Sequence, residues 1–374
     1  MKTYFIVASD PNFLGGVSLY VNNLIISQKI NKKIYWVYKG GKNRLYNKNN
    51  VNYIEIKVPK IYLLNEIIFN MKVRRFAIEL HPNIINSHAI WGFWFNFYKK
   101  ISGQKIIHTY HGSTYYFYKN HLKRFNLKKI IYYPLLLFAH FIEKPPWKKA
   151  DKIICVSEHV KKELESLYGK RKNIEVIRTG VDSRKFKLRN KKSVRKKLNL
   201  EEEGIYGLYV GRGGYWTKGL DKVINLSKKI YSLNKDYRLI VIGADKEKVK
   251  HLLKEEFIIL LPPQSRKKMV YYYNASDIFF SMSRYEGGAP TMVTSEAMAS
   301  GCLIVTDKQA NQEIVEDRKN GLLIDKNYEK EAKRVLKFVK NEVRLKKIIK
   351  RSLRIAEDLS LKKWRRRYLK ILNN

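Results

Sequence analysis

DIFFSMSRYEGGAPTMVTSEAMASGCLIVTD, Asp277 to Asp307, is the stretch on which the fold turns. It opens and closes on apolar runs, DIFFSMS and CLIVTD, with the content of buried strands. Between them TMVTSEAMA has the composition of a helix, and Pro290 suits its first position, where a backbone N–H has no partner to lose. Strand, loop, helix, strand is a βα unit of a parallel sheet. Two glutamates stand between its terminal aspartates, Glu286 on the loop and Glu296 inside the helix, in a chain of otherwise strongly basic composition.

The same alternation extends upstream. GIYGLYVG, YRLIVIG and EFIILLP are expected strands, and LDKVINLSKKIYSL and SRKKMVYYYNA are expected helices between them. The first half has its own set. Tyr4–Ala8, KIYWVYKG, NIINSH and KIIHTYHG are expected strands, VSLYVNNLIISQ is a helix, and ADKIICVSEHVKKEL is a strand entering a helix capped by Ser157. With 374 residues the chain suits two domains. The boundary is expected in the charge run KLRNKKSVRKKLNL, near residue 187, which has the composition of a solvated linker with a surface helix. The tail, LKKWRRRYLKILNN, places Trp364, Tyr368, Ile371 and Leu372 on one helical face that must dock.

Seventy-six Lys and Arg against 33 Asp and Glu give a formal charge of +43, which points either to a solvated cationic coat or to an anionic partner. No zinc-ligand spacing, RNA-binding aromatic signature or helix-turn-helix pattern accompanies the charge, so a nucleic-acid reading rests on charge alone. The two cysteines, Cys155 and Cys302, lie in apolar strand-like runs and imply core packing rather than a disulfide. MKTYFIVASD lacks the length and cleavage site of a signal peptide. IIYYPLLLFAHFI, Ile130 to Ile142, is too short to span a bilayer and is interrupted by Pro134. A cytoplasmic protein is expected.

Ligands of open α/β sheets bind beyond the carboxyl ends of the strands. Four loops follow strand ends: LGG, HTYHGS, VGRGGYWTKG and SRYEGGAPT. LGG holds Gly15 and Gly16 before a helix, where a close phosphate or a plain turn would serve equally. VGRGGYWTKG offers Arg212 as a fork of donors and Lys218 as a point charge, a pair suited to a diphosphate. Gly287, Gly288 and Ala289 before the helix leave backbone N–H groups open to phosphate. Taken singly, Glu286 could serve only the helix dipole, worth less than about 1 kcal/mol, and Glu296 could be a surface residue. Basic residues Lys123, Arg124, Lys128 and Lys129 flank the apolar run in NHLKRFNLKKIIYYPLLLFAHFIEKPPWKK, the composition of a helix lying in an anionic membrane surface; burial of the apolar residues in the core is the alternative.

In order along the chain, GGVSLYVNNL, HTYHGS, ADKIICVSEHVKKEL, VIRTGVDSRKF, VGRGGYWTKGLDKVI, LIVIG and the Asp277–Asp307 stretch resemble the landmarks of glycosyltransferase family 4. The resemblance implies an α/β GT-B fold: two Rossmann-like domains facing across a cleft, 1–187 for the acceptor and 188–356 for the nucleotide sugar, with 357–374 a helix crossing back to the N-domain. It implies a retaining, metal-independent hexosyltransferase with no cofactor beyond its nucleotide-sugar co-substrate. By resemblance Gly16, Arg212, Lys218 and Gly288 would meet the donor diphosphate, Glu286 the donor sugar, Glu296 the nucleotide ribose, and His111 the reacting sugar, with His108 the competing histidine. A lipid-linked or membrane-proximal acceptor, as in cell-surface glycan or glycolipid assembly, and a peripheral place on the cytoplasmic membrane face complete the expectation. One departure stands out. The family separates its two glutamates by seven residues, whereas nine lie between Glu286 and Glu296, and Thr294 holds the usual position. Other GT-B reactions, epimerisation of a sugar nucleotide or phosphorolysis, remain open at this point, as does a non-catalytic nucleic-acid-binding protein.

Overall fold

The computed structural model describes residues 2–13, 15–26, 32–61, 63–91, 103–122, 129–212, 215–245, 249, 254–307 and 313–373. The chain divides into two units, Met1–Arg178 with Arg365–Asn374, and Thr179–Trp364.

The first unit is built on a sheet of order β3-β4-β2-β1-β5-β6-β7-β8. Its strands are β1 (Lys2–Val7), β2 (Lys32–Gly40), β3 (Arg44–Lys48), β4 (Val51–Lys57), β5 (Ile84–His88), β6 (Lys105–Tyr110), β7 (Lys152–Cys155) and β8 (Ile174–Val176). All pairings are parallel except β3 with β4, a hairpin whose tip residues, Asn49 and Asn50, take positive φ of 53° and 60°. Asparagine tolerates that conformation. Sequence periodicity is silent about this hairpin, because β3 is exposed along nearly its whole length. The helix Glu158–Tyr168 begins where expected, with the Ser157 hydroxyl accepting the Val160 N–H.

The second unit holds β9 (Ile205–Val210), β10 (Tyr237–Ile242), β11 (Ile258–Leu261), β12 (Ile278–Ser281), β13 (Leu303–Asp307) and β14 (Leu322–Ile324). Their order is β11-β10-β9-β12-β13-β14, and every pairing is parallel. Numbered within the unit this is 3-2-1-4-5-6, the doubly wound Rossmann order. Helices Leu220–Leu233 and Arg266–Ala275 fall where the sequence predicts them. Cys155 and Cys302 are free and buried.

The unit boundary lies at 178/179, ahead of the expected 187, because Val181 and Phe186 belong to the second unit's core. Val181 also exchanges backbone hydrogen bonds with Leu359 and Leu361. The second crossing lies at 364/365 rather than 356/357. The charge run after residue 187 is not a solvated linker throughout. Arg195 is buried, and its guanidinium donates to Asp277 and to the carbonyls of Ala275, Glu202 and Gly204. The C-terminal helix, Leu361–Asn373, buries the predicted face of Trp364, Tyr368, Ile371 and Leu372. In the first unit Asn86 donates to the Tyr368 hydroxyl at 2.9 Å, that hydroxyl also meets Thr109 at 3.1 Å, and Lys105 donates to the Ile371 carbonyl.

Candidate functional site

In the second unit the strand order reverses between β9 and β12, which lie side by side. The loops that leave these two strands are VGRGGYWTKG and MSRYEGGAPT, so chain topology brings the two glycine-rich segments to the switch point where such sheets bind ligands. The loops are clamped together. Arg284 N–H donates to the Thr217 carbonyl at 3.0 Å. The Arg284 guanidinium grips Asp221 with two hydrogen bonds of 2.7 and 2.6 Å, lies over the Trp216 ring and donates to the Trp216 carbonyl. Gly219, at φ 69°, closes the first loop, and a Cβ there would stand 1.9 Å from the Met282 carbonyl oxygen. Only glycine permits that approach.

Within this clamp Lys218 donates to Glu286 at 2.6 Å, their side chains 34% and 19% exposed. The sequence assigns these residues to different parts of a ligand; the structure joins them as an ion pair. Arg212 is exposed at the end of β9. Gly213 and Gly214 lie outside the described residues. Lys222, on the helix that follows the first loop, reaches Asp307 at the end of β13.

The helix after the second loop is Met292–Ala299, one residue shorter at its start than TMVTSEAMA. Thr291 is its cap, its hydroxyl accepting the Thr294 N–H at 3.2 Å. Pro290 therefore precedes the cap and is not the first helical residue, because the Thr291 side chain satisfies a terminal N–H. Gly288 is half-buried, and a Cβ there would come within 3.2 Å of the Pro290 carbonyl oxygen. Thr294, which occupies the family's usual glutamate position, is buried and bonds Thr291 and Ser281 through its hydroxyl, tying the helix start to β12.

Glu296 is not a surface residue. It is buried, with one oxygen accepting from the Tyr273 hydroxyl at 3.0 Å and the other 2.5 Å from the Arg266 guanidinium. Burial pushes its pKa up, and Arg266 opposes the rise. The Arg266 side chain is 40% exposed and lies over the Phe186 ring, whereas Tyr273 is buried.

In the first unit the switch point lies between β1 and β5. The loop after β1 leads into the helix Gly16–Ile26, and a Cβ on Gly16 would meet nothing within 4 Å. His88 ends β5 and His111 follows β6; their rings share a hydrogen bond of 3.0 Å, His88 Nδ1 to His111 Nε2. The Tyr20 ring meets His111 edge-on at 4.7 Å. Desolvation pushes the pKa of His111 down to about 3, and holds His88 well below the usual imidazole range. Both rings are neutral at pH 7. His108 is fully buried and bonded to Ser87 at 2.7 Å, a core residue; desolvation, and then the charge of His111, push its pKa down to about 3. His88, unremarked in the sequence beyond its place at a strand end, is a partner that only the sheet order reveals.

Lys123, Arg124 and Lys128 lie outside the described residues, as does the Lys129 side chain. The apolar run is a helix, Lys129–Lys149. One face of it, with Leu136, Ala139, Ile142 and Trp147, is buried. The other leaves Tyr133, Leu137 and Phe141 exposed by 59%, 73% and 45%, at four-residue spacing, followed by exposed Lys144 and Lys148. Glu143, on the buried side, accepts from Ser113, Thr114 and Tyr168 and so anchors the start of the helix Thr114–Leu122. Burial raises its pKa to about 7. Among the described residues no helix is long and apolar enough to cross a membrane.

Two family models divide the chain between them. That described as Glycosyltransferase Family 4 matches residues 14–185, and that described as Glycosyl transferases group 1 matches residues 190–354. The chain is 29% identical over 333 residues to an uncharacterized glycosyltransferase of Methanocaldococcus jannaschii, covering 84% of this chain and 80% of that protein. Among solved structures it is similar to sucrose-phosphate synthase from Thermosynechococcus elongatus, with a TM-score of 0.83 and 15% identity over 100% and 98% of the two chains. It is also similar to HepE of Anabaena in complex with UDP-glucose, with a TM-score of 0.75 and 15% identity over the whole of both chains.

Proposed function

The chain belongs to the glycosyltransferases of the family 4 type, with the GT-B fold, and from that premise we propose that it transfers a hexose, with retention and without a metal, from a nucleoside diphosphate sugar to a membrane-proximal acceptor. The observation that carries this reading is the Lys218–Glu286 pair held at the β9/β12 switch point. The pair supports the reading because a cation suits a diphosphate and a carboxylate suits a sugar hydroxyl, and the two are side by side at that switch point.

When the donor enters, Lys218 exchanges the Glu286 carboxylate for diphosphate oxygens, and Arg212 adds a fork of donors. The N–H groups around Gly288 and at the start of the helix Met292–Ala299 face the same anion. These groups stabilise the charge that grows as the glycosidic C–O bond breaks. Glu286, released from Lys218, accepts from the donor sugar. The acceptor hydroxyl forms the new bond on the same face of the sugar and gives its proton to a diphosphate oxygen. Glu296 binds the ribose diol after Arg266 swings away. On the first unit, Gly16 is assigned to donor phosphate and His111, neutral and therefore able to accept or donate a hydrogen bond, to the reacting sugar. The exposed stripe of Tyr133, Leu137 and Phe141 with its flanking lysines supports an acceptor at an acidic membrane surface.

The test is a panel of nucleotide sugars by thermal shift, beginning with UDP-sugars because HepE is solved with UDP-glucose, followed by product analysis. A true donor at about a hundredfold over its Kd stabilises the fold by roughly 2.7 kcal/mol. The reading is lost if no nucleotide sugar shifts the melting transition. Its finer parts are lost if EDTA abolishes and Mn²⁺ restores transfer, or if NMR finds an inverted product.

A further inference from the structure

The second unit carries a cavity of about 450 Å³ that takes no part in the proposed transfer. Three segments form it: the loop 316–321, the helix Tyr328–Lys340 and the helix Glu342–Asp358. That loop leads into β14, so the cavity sits toward the amino end of the parallel sheet, the end opposite the loops after β9 and β12.

Seven of the nine lining residues are Lys or Arg and none is acidic, against 76 Lys and Arg in 374 residues overall. Composition alone does not produce this. On the same two helices, outside the cavity, Lys333 has Glu329 and Lys346 has Glu342 as partners one turn away. Inside, three of the cations have ion pairs among the described residues. Arg334 is held by Asp317 and Glu331, Arg318 by Asp317, and Lys319 by Glu316. Lys337, Arg344, Lys347 and Arg351 have no ion pair among the described residues. The buried side chains of Phe338 and Ile348 form the floor. Like charges gathered in a concavity repel one another, and a bound anion turns that repulsion into attraction. Guanidinium forks among them suit phosphate oxygens.

We propose that this cavity is a second anion site, separate from the donor site, for a compact ligand bearing two or more phosphates. Four cations without an ion pair among the described residues, of which Arg351 feels only the Glu316 carboxylate that Lys319 already holds, match a multiply charged anion better than a single phosphate, and a concavity of about 450 Å³ suits a small ligand better than an extended polymer.

The probe is tripolyphosphate, titrated calorimetrically at low and moderate salt, with Arg212→Ala/Lys218→Ala as background so that the proposed donor site is silent. Binding is expected in that background and should weaken by about tenfold or more in Lys347→Glu/Arg351→Glu. The control Lys340→Glu/Lys350→Glu removes the same charge elsewhere on these helices and should stay within about threefold. The milder Lys347→Gln/Arg351→Gln pair, with a melting curve, separates loss of site from loss of fold. Equal weakening in pocket and control variants, or binding that vanishes with Arg212 and Lys218 alone, would overturn the proposal whether or not the transferase reading survives. A second arm, sedimentation with phosphatidylcholine vesicles containing a phosphorylated inositol lipid, identifies the source: pocket-dependent sedimentation together with tripolyphosphate binding assigns a lipid headgroup, and tripolyphosphate binding alone assigns a free ligand. Sedimentation without tripolyphosphate binding rejects the compact-anion site.

Discussion

Lys218→Met separates folding from chemistry at the proposed donor site. Lys218 and Glu286 are partly solvated, 34% and 19% exposed at 2.6 Å. A pair of that exposure contributes at most about 1 kcal/mol to stability, which for a unit of this size moves Tm by about 2–4 °C. As a stabiliser of the departing diphosphate the same lysine carries more, because it acts where charge develops: loss of one such group costs about 10²–10³ in turnover, or about 2.7–4 kcal/mol. Lys218→Met is therefore expected to melt close to the parent while kcat falls at least a hundredfold (~10², as above). Glu286→Gln gives a different signature. It frees Lys218 from its competitor, so the bare nucleoside diphosphate should bind as well as before or several-fold more tightly, while transfer falls. The assay pairs titration of the nucleoside diphosphate with turnover of the donor found in the panel, for both single variants and the double variant. Lys218→Met at near-parental turnover, or Glu286→Gln weakening the bare nucleotide as much as Lys218→Met does, would refute the division of roles.

Three further outcomes follow from other contacts. Glu296→Gln should weaken the bare nucleoside diphosphate and the nucleotide sugar alike, and Arg266→Ala should leave or improve both affinities by removing the competitor; loss of affinity in Arg266→Ala counts against the ribose role. His108 and His111 have folded pKa values near 3, below the unfolded value, so their contribution to stability is complete above pH 6.5 and is lost as pH falls, on the order of a few kcal/mol for the coupled pair by pH 5. Glu143, raised to about 7, gains stability over part of the same range and offsets some of this loss. Tm should therefore drop between pH 7.5 and 5, and less steeply in His111→Asn; an unchanged slope in that variant contradicts neutral burial. Leu137→Glu should weaken sedimentation with acidic vesicles by about tenfold, since an exposed leucine gains about 1.5–3 kcal/mol on burial, and should change stability by less than about 0.5 kcal/mol. Identical sedimentation of variant and parent would detach the stripe from the membrane.

The sequence by itself determined the fold class and most of its elements. Strand runs such as YRLIVIG and amphipathic stretches such as LDKVINLSKKIYSL carry their structure in local periodicity, and Ser157 announces a helix start through chemistry confined to one turn. It also marked the loops worth watching, because glycine and charge at strand ends are local signals. What it did not determine was who touches whom. That Lys218 meets Glu286, sixty-eight residues on, follows from β9 and β12 being neighbours. The Arg284 clamp on Asp221 depends on the same adjacency. The burial of Glu296 against Tyr273 and Arg266 depends instead on how the helices before and after β12 pack, since the pattern of a short helix alone cannot tell an inward from an outward glutamate. Arg195 looked like one cation in a solvated run, yet it fills a buried site of carbonyls and Asp277 gathered from distant segments. The basic cavity likewise draws on three segments, none of them unusual in so cationic a chain. Hydrogen bonds, ion pairs and desolvation depend on distance in space, which parallel strands joined through helices set only once the whole sheet is ordered.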